Sequence, residues 1–112
     1  MSLKTQDLFN VSNKVVVVTG GSRGIGEMIT SGFLANGSKV YVTARKEEAL
    51  VNKAEELSKK YNCSCIPVCG DISNSEGIDS LVNFLNDAEP DGIDFLINNA
   101  GAAWGANLSL IH

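Results

Sequence analysis

Four glycines follow a run of valines near the start of the chain, in a pattern that could hold a phosphate group. Val15 to Val18 lead through Thr19 to glycines at positions 20, 21, 24 and 26. Glycines let main-chain amides approach a phosphate with no Cβ in the way, and a following helix adds unpaired N–H groups and a partial positive charge. The spacing Gly20-x-x-x-Gly24-x-Gly26 differs from the usual dinucleotide fingerprint and from a P-loop. A tight turn without a ligand is therefore the open alternative.

Two arginines and an aspartate follow the predicted strands and indicate which nucleotide such a site would take. Arg23 lies inside the glycine turn, and Arg45 follows the second strand, where no acidic residue stands. An NAD site places Asp or Glu at that point, whereas an NADP site places Arg nearby, and the guanidinium fork suits a phosphate. The pattern favours NADP(H) over NAD(H). Both arginines could instead be solvated surface charges, and Asp71 could either accept from adenine or cap the turn before Ser73.

The elements that must position these residues alternate along the chain. The apolar spacing predicts a first helix with Ile25, Met28, Ile29 and Phe33 on its buried face, and a second helix over 46–61. A third helix is predicted to start at a capping box formed by Ser73 and Glu76 and to bury Ile78, Leu81, Val82 and Leu85. The four predicted strands cover 15–18, 39–43, 65–69 and 93–97.

This alternation predicts an α/β fold with a Rossmann-like, doubly wound parallel sheet. The strand order 3-2-1-4 would place Pro67 on an edge strand, where a missing N–H is tolerated. The turns after all four strands would then open on one rim, which is where such sheets bind ligands. We expect a lead-in over 1–13 and an NADP-binding half-domain over 14–112, with the sheet stopping after strand four.

Composition narrows the class of protein. The 112 residues are 44% hydrophobic and 20% charged with a net charge of −4, which argues against a nucleic-acid surface. No apolar run suggests a membrane span or a signal peptide, so a cytoplasmic location is expected. Three cysteines at positions 63, 65 and 69 are interpreted as reduced thiols, and no metal site is expected.

Together these residues resemble the short-chain dehydrogenase/reductase family. The family's T-G-x-x-x-G-I-G motif corresponds to 19–26, its N-N-A-G motif to 98–101 and its acidic adenine contact to Asp71. Within the family, SRGIG with Arg45 and AGAAWGANL after the fourth strand resemble the NADPH-dependent 3-oxoacyl-thioester reductases of the rhamnolipid-pathway type. The resemblance implies a set of cofactor-binding residues: Gly20, Ser22, Arg23, Gly24, Ile25, Gly26, Arg45, Asp71, Ile72 and Asn99.

The resemblance also implies what these 112 residues lack. The family's catalytic Asn, Ser and Tyr-x-x-x-Lys have no counterpart here, because Tyr41 and Tyr61 are not followed by Lys four residues on. No residue is therefore expected to be catalytic. The chain is interpreted as the cofactor-binding part of an NADPH-dependent carbonyl reductase whose full-length form takes a carbonyl substrate and is a homo-oligomer. The alternatives are a non-catalytic nucleotide- or partner-binding module and a non-functional remnant.

Overall fold

Strands and helices alternate through residues 10–99, the part of the chain that the computed structural model describes. The elements are β1 (Val15–Thr19), α1 (Gly24–Ala35), β2 (Lys39–Ala44), α2 (Glu47–Tyr61), β3 (Cys65–Cys69), α3 (Ser75–Ala88) and β4 (Phe95–Asn98). Each predicted strand and helix is present; β3 has its predicted ends, and the other predicted ends are shifted by at most two residues. The largest shift is in β4, which begins at Phe95 rather than Ile93.

The four strands form one parallel sheet in the order β3-β2-β1-β4. This confirms the predicted Rossmann-like α/β fold and its strand order. Pro67 lies on the edge strand β3, opposite Val42 of β2. β4 forms the other edge of the described sheet, and Phe95 on it is exposed. All four strands run the same way, so the turns that follow them meet at one end of the sheet.

Two apolar cores cover the two faces of the sheet because β-strand side chains alternate in direction. On one face, Val16, Val18, Val40 and Val42 pack with Leu34 of α1 and with Leu50, Ala54 and Leu57 of α2. On the other face, Val17 and Tyr41 pack with Ile72 and with Ile78, Leu81, Val82 and Leu85 of α3. The predicted buried face of α3 is confirmed, and helices on both faces explain the unbroken apolar runs of β1 and β2.

The predicted buried face of α1 is only half right: Ile29 and Phe33 pack against the core, whereas Ile25 and Met28 do not. Ile25 and Met28 are 70% and 74% exposed, whereas Gly26, Thr30 and Leu34 are buried. The buried positions Gly26, Thr30 and Leu34 each follow a predicted position by one residue, so the centre of the observed face is turned toward them. Apolar spacing missed Gly26 because α1 lies so close to the glycine turn that a Cβ there would clash with the Gly20 main chain.

The predicted capping box of α3 is also wrong. Asn74 is the N-cap, and its side chain accepts from the Gly77 N–H at 2.8 Å. The Ser73 hydroxyl instead donates to Asp71 Oδ1, so it is already used within the preceding turn. The helix begins one residue later than a Ser73 cap would require.

Among the described residues, no helix is long and apolar enough to cross a membrane.

Candidate functional site

The turns at the carboxyl ends of the strands enclose a cleft of about 480 Å³. It is lined by Gly20, Ser22, Arg23, Thr43, Ala44, Arg45, Gly70, Asp71, Ile72, Ser73 and Asn99. Seven of the ten predicted binding residues are in this lining. Gly24, Ile25 and Gly26 are not, because they lie within the first turn of α1. Thr43, Ala44, Gly70 and Ser73 also line the cleft and were not predicted as binding residues, although the turns after β2 and β3 were expected to open here.

The glycine turn brings main-chain amides to the cleft. Gly20 and Gly24 have φ values of +65° and +59°, which residues with a Cβ rarely adopt. The Gly20 N–H donates to the Thr43 carbonyl at 3.0 Å, which holds the turn against the end of β2. The N-cap of α1 is Arg23, whose side chain makes no capping hydrogen bond. The first amides of α1 therefore lack a side-chain cap, as a helix that receives an anion requires.

Gly26 is required where α1 passes over the turn. A Cβ at Gly26 would lie 2.0 Å from the Gly20 carbonyl oxygen and 2.6 Å from Asn99 Nδ2. Asn99 Nδ2 also donates to that carbonyl oxygen at 3.2 Å. Beside it, Thr19 Oγ1 donates to Asn98 Oδ1 at 2.9 Å. The two sequence motifs thus meet in space, although Ala100 and Gly101 of the second motif lie outside the described residues.

Arg23 and Arg45 lie on the same side of the molecule. Both line the main cleft, and both also line an adjoining cavity of about 360 Å³ with Ser22, Ala44, Lys46, Ala49 and Leu50. Lys46 was not predicted as a site residue. The one feature of the sequence that could have indicated it is its position directly after Arg45. On a chain whose net charge is −4, these two cavities thus hold three cations and one carboxylate, Asp71.

Asp71 caps its own turn. Its Oδ1 accepts from the Ser73 N–H at 2.9 Å and from the Ser73 hydroxyl. These hydrogen bonds, helped by the charge of Arg45, lower the pKa of the Asp71 carboxyl below its usual value. Of the two roles considered from the sequence, the cap is the one observed. The adenine contact is compatible with it, because the carboxylate has a second oxygen.

The remaining predicted residues differ in how far they reach the cleft. Ile72 lines it but is only 8% exposed and packs with the core of α3. Ile25 is exposed on α1 and lies outside the lining. Tyr41 is buried against Glu89, and neither it nor Tyr61 lines the cleft. Within residues 10–99, no three His, Cys, Asp or Glu side chains are grouped to hold a metal ion.

A family model for short chain dehydrogenase matches residues 14–111. The chain belongs to the short chain dehydrogenase family. One relative of this oxidoreductase family is the rhamnolipids biosynthesis 3-oxoacyl-[acyl-carrier-protein] reductase of Pseudomonas aeruginosa, 41% identical over 100 residues. That match covers 89% of this chain and 38% of the relative. An NADP-dependent 3-hydroxy acid dehydrogenase of Shigella flexneri is 37% identical over 91 residues, which are 81% of this chain and 35% of that protein.

Solved structures of short chain dehydrogenases show the same fold. The RhlG/NADP active-site complex of Pseudomonas aeruginosa is 40% identical, with a TM-score of 0.77 over 88% of this chain and 37% of that one. An L-sorbose reductase of Gluconobacter frateurii, solved with NADPH and L-sorbose, is 35% identical, with a TM-score of 0.76 over 83% and 35% of the two chains. This chain therefore spans little more than a third of the length of these relatives.

Proposed function

We propose that this chain binds NADP(H) in the cleft at the carboxyl ends of its strands. The observation that carries the proposal is that Arg23 and Arg45 line one cleft together with the glycine turn. The turn that directly follows β2, Arg45-Lys46, holds no carboxylate, whereas an NAD site would place one there to accept from the ribose hydroxyls. The names of the P. aeruginosa and G. frateurii structures, which record NADP and NADPH, support the same cofactor.

The cleft residues fit such a cofactor in chemical type. The turn around Gly20, Ser22 and Gly24 would receive the phosphates, because its positive φ angles and uncapped helix start offer amide donors. The lack of a side chain at Gly26 allows this turn to lie close to Asn99. We propose the remaining roles from the resemblance to the family. Arg45, with Arg23 beside it, would bind the 2′-phosphate, and Asp71 and Ile72 would flank adenine. Ile25 would lie on the phosphate side and Asn99 near the ribose.

The activity of the whole protein is proposed from the family. We infer an NADPH-dependent carbonyl reductase of the 3-oxoacyl type, since the P. aeruginosa relative is named for that reaction. The bound nicotinamide would supply hydride to the carbonyl carbon. Residues 1–112 contain no Tyr-x-x-x-Lys, so we propose that they bind the cofactor without reducing a carbonyl. Assembly into a homo-oligomer and a cytoplasmic location stay predictions.

The binding proposal is tested by titrating the purified chain with NADPH and with NADH and following nucleotide fluorescence. Arg45→Ala should weaken NADPH at least about tenfold, the effect of losing a charge-assisted hydrogen bond. Its effect on NADH should stay within about twofold, because NADH has no 2′-phosphate. The control is Lys14→Ala, which removes the same charge at the opposite end of the sheet and should alter neither affinity.

Two results would overturn the binding proposal. The first is a folded chain, shown by circular dichroism, that gives no fluorescence change at millimolar NADPH. The second is an Arg45→Ala variant that loses NADH and NADPH affinity equally. The proposal on catalysis is tested by mixing the chain with NADPH and a 3-oxoacyl thioester. We expect no NADPH oxidation, and turnover above the rate without protein would contradict that expectation.

A further inference from the structure

Thr30 is a polar residue on the buried face of α1, between Gly26 and Leu34. Its side chain is fully buried, and the residue is 0% exposed. A threonine inside a helix often directs its hydroxyl to the carbonyl one turn earlier. Here Thr30 Oγ1 instead donates to the Gly21 carbonyl oxygen at 3.1 Å, nine residues back in the glycine turn. The hydroxyl thus joins the helix to the turn that precedes it.

The turn lies directly on this side chain. A Cβ at Gly21 would be 2.7 Å from Thr30 Oγ1 and 2.8 Å from Val42 Cγ1. Gly21 is itself buried, whereas the next residue, Ser22, is partly exposed and lines the cleft. The Gly21–Ser22 peptide is therefore the link between the interior of the protein and the surface of the site.

The orientation of that peptide follows from its planarity. In a trans peptide the carbonyl and the following N–H point in opposite directions. Because the Gly21 carbonyl points inward to Thr30, the Ser22 N–H points away from Thr30. Ser22 itself lines the cleft.

We propose that Thr30 is a positioning residue, which sets the Ser22 amide to donate to a phosphate of the bound dinucleotide. The inference rests on the proposed function and adds to it a residue that does not touch the cleft. A donor held in place before binding loses less conformational freedom when the phosphate arrives. Ser22 also lines the cavity that holds Arg45, but the proposed function gives the amides of the glycine turn to the pyrophosphate, so we assign the Ser22 amide to that group rather than to the 2′-phosphate.

The test compares ligands that contain the pyrophosphate with one that lacks it. Thr30→Val keeps the shape and removes the hydroxyl. It should weaken NADPH and NADH to the same extent, about fivefold, the fold-change of one net hydrogen bond. Binding of adenosine 2′-monophosphate, followed by NMR, should stay within about twofold of the wild-type value, because that ligand has no pyrophosphate. Thr30→Ser keeps the hydroxyl and should restore both dinucleotide affinities to within about twofold.

The control is Ser38→Ala. Ser38 is also buried, and its hydroxyl donates to the Val11 carbonyl at 2.6 Å, away from the cleft. It should leave all three affinities unchanged. If Thr30→Val is partly unfolded, the ratio of NADPH to adenosine 2′-monophosphate affinity still decides, since both ligands bind only the folded chain and the ratio is independent of the folded fraction.

Each outcome separates this inference from the proposed function. A Thr30→Val chain in which that ratio equals the wild-type ratio would overturn the inference and leave NADP(H) binding intact. The same holds if Thr30→Ser loses as much dinucleotide affinity as Thr30→Val. A wild-type chain that binds no dinucleotide would overturn the proposed function, and the role of Thr30 with it.

Discussion

Two glycines of α1 differ in whether the structure leaves room for a side chain. A Cβ added at Gly26 would lie 2.0 Å from the Gly20 carbonyl oxygen, whereas a Cβ added at Gly32 would have no atom within 4 Å. Gly32 is therefore a glycine for which the described structure shows no steric need. Gly32 lowers the stability of the helix, because glycine in a helix interior is about 1 kcal/mol less favourable than alanine.

Gly26→Ala and Gly32→Ala should change stability in opposite directions. Gly26→Ala should lower the free energy of unfolding by about 2 kcal/mol, because the Gly20 main chain must move, and should weaken NADPH binding. Gly32→Ala should raise the free energy of unfolding by about 1 kcal/mol and leave binding unchanged. Urea unfolding measures the free energy of unfolding of each variant, and NADPH titration measures its affinity. Equal stability of the two variants would contradict the close approach of α1 to the turn.

The three cysteines should react at different rates. Burial raises the pKa of the Cys65 thiol to about 11, so only about 0.1% of it is thiolate at pH 8. Cys69 is exposed at the end of β3, and Cys63 is partly buried. Iodoacetamide should therefore label Cys69 first and leave Cys65 unlabelled in the folded chain, as read by fragment-ion mass spectrometry. In urea all three should label together, and rapid labelling of Cys65 without urea would contradict its burial.

At the scale of elements, β3 is protected on its free edge. Val40 N–H donates to the Ser64 carbonyl, so Ser64 faces β2 and Cys65 presents its own N–H and carbonyl to the edge. Ser58 Oγ of α2 bonds both, at 3.0 Å to the nitrogen and 3.2 Å to the oxygen. Pro67, two residues on, has no N–H to offer. Together these features leave little for another strand to pair with.

Ser58→Ala should open this edge. With neither Cys65 group paired, the free energy of unfolding should fall by about 2 kcal/mol, and light scattering should rise faster on warming, because exposed strand edges aggregate. Ser64→Ala, at the exposed neighbouring position, is the control and should behave like the wild type. If Ser58→Ala scatters no more light than Ser64→Ala, Pro67 alone is sufficient to protect the edge.

The elements also show how far the sequence could lead. The valine run of β1 and the proline in β3 determine burial and edge position through local chemistry, so strand order was predictable. The buried face of α1 was only half predictable, because the tight contact at Gly26 and Thr30 depends on the turn folding back onto the helix. The α3 cap was missed for a similar reason, since Asp71 takes the Ser73 hydroxyl and Asn74 caps instead.

The site was predictable to the same extent. Turns at strand ends can be placed from the order of elements, so Arg45 and Asp71 were correctly brought to one rim. The directions of individual side chains there depend on the assembled sheet, and Thr43 and Lys46 were missed for that reason. Thr30 gave no signal at all, because a lone threonine in a helix has no periodic or motif context.

At the scale of the whole molecule, a charged cluster joins sheet and helix at the end opposite the cleft. Lys39 Nζ and Tyr41 Oη, both from β2, donate to Glu89 Oε2 at the end of α3. The hydrogen bond to Glu89 raises the pKa of Lys39, and burial together with the Glu89 bond raises the pKa of Tyr41. Burial alone would raise the pKa of Glu89, but the bonds from Lys39 and Tyr41 outweigh it and the net pKa is lowered.

These shifts give the cluster a defined pH window. A carboxyl with a lowered pKa stabilises the fold above its unfolded value, near 4.5, and loses that contribution as the pH falls through the folded value. Lys39 and Tyr41 have raised pKa values, so each stabilises the fold below its unfolded pKa, 10.5 for Lys39 and 10.0 for Tyr41. That stabilisation is lost as the pH rises through the folded pKa. The contribution of the cluster is therefore complete between about pH 5 and 9 and declines on both sides.

Glu89→Gln should remove this dependence while keeping an acceptor oxygen. At pH 7 it should lower the free energy of unfolding by about 1 kcal/mol, a small value because Lys39 is 41% exposed and the pair is partly screened. The difference between wild type and variant should shrink below pH 4.5 and above pH 10, as measured by urea unfolding across the pH range. Glu55→Gln, exposed on α2, should show no such profile. A Glu89→Gln difference that stays constant from pH 3 to 7 would mean that packing, not charge, joins α3 to β2.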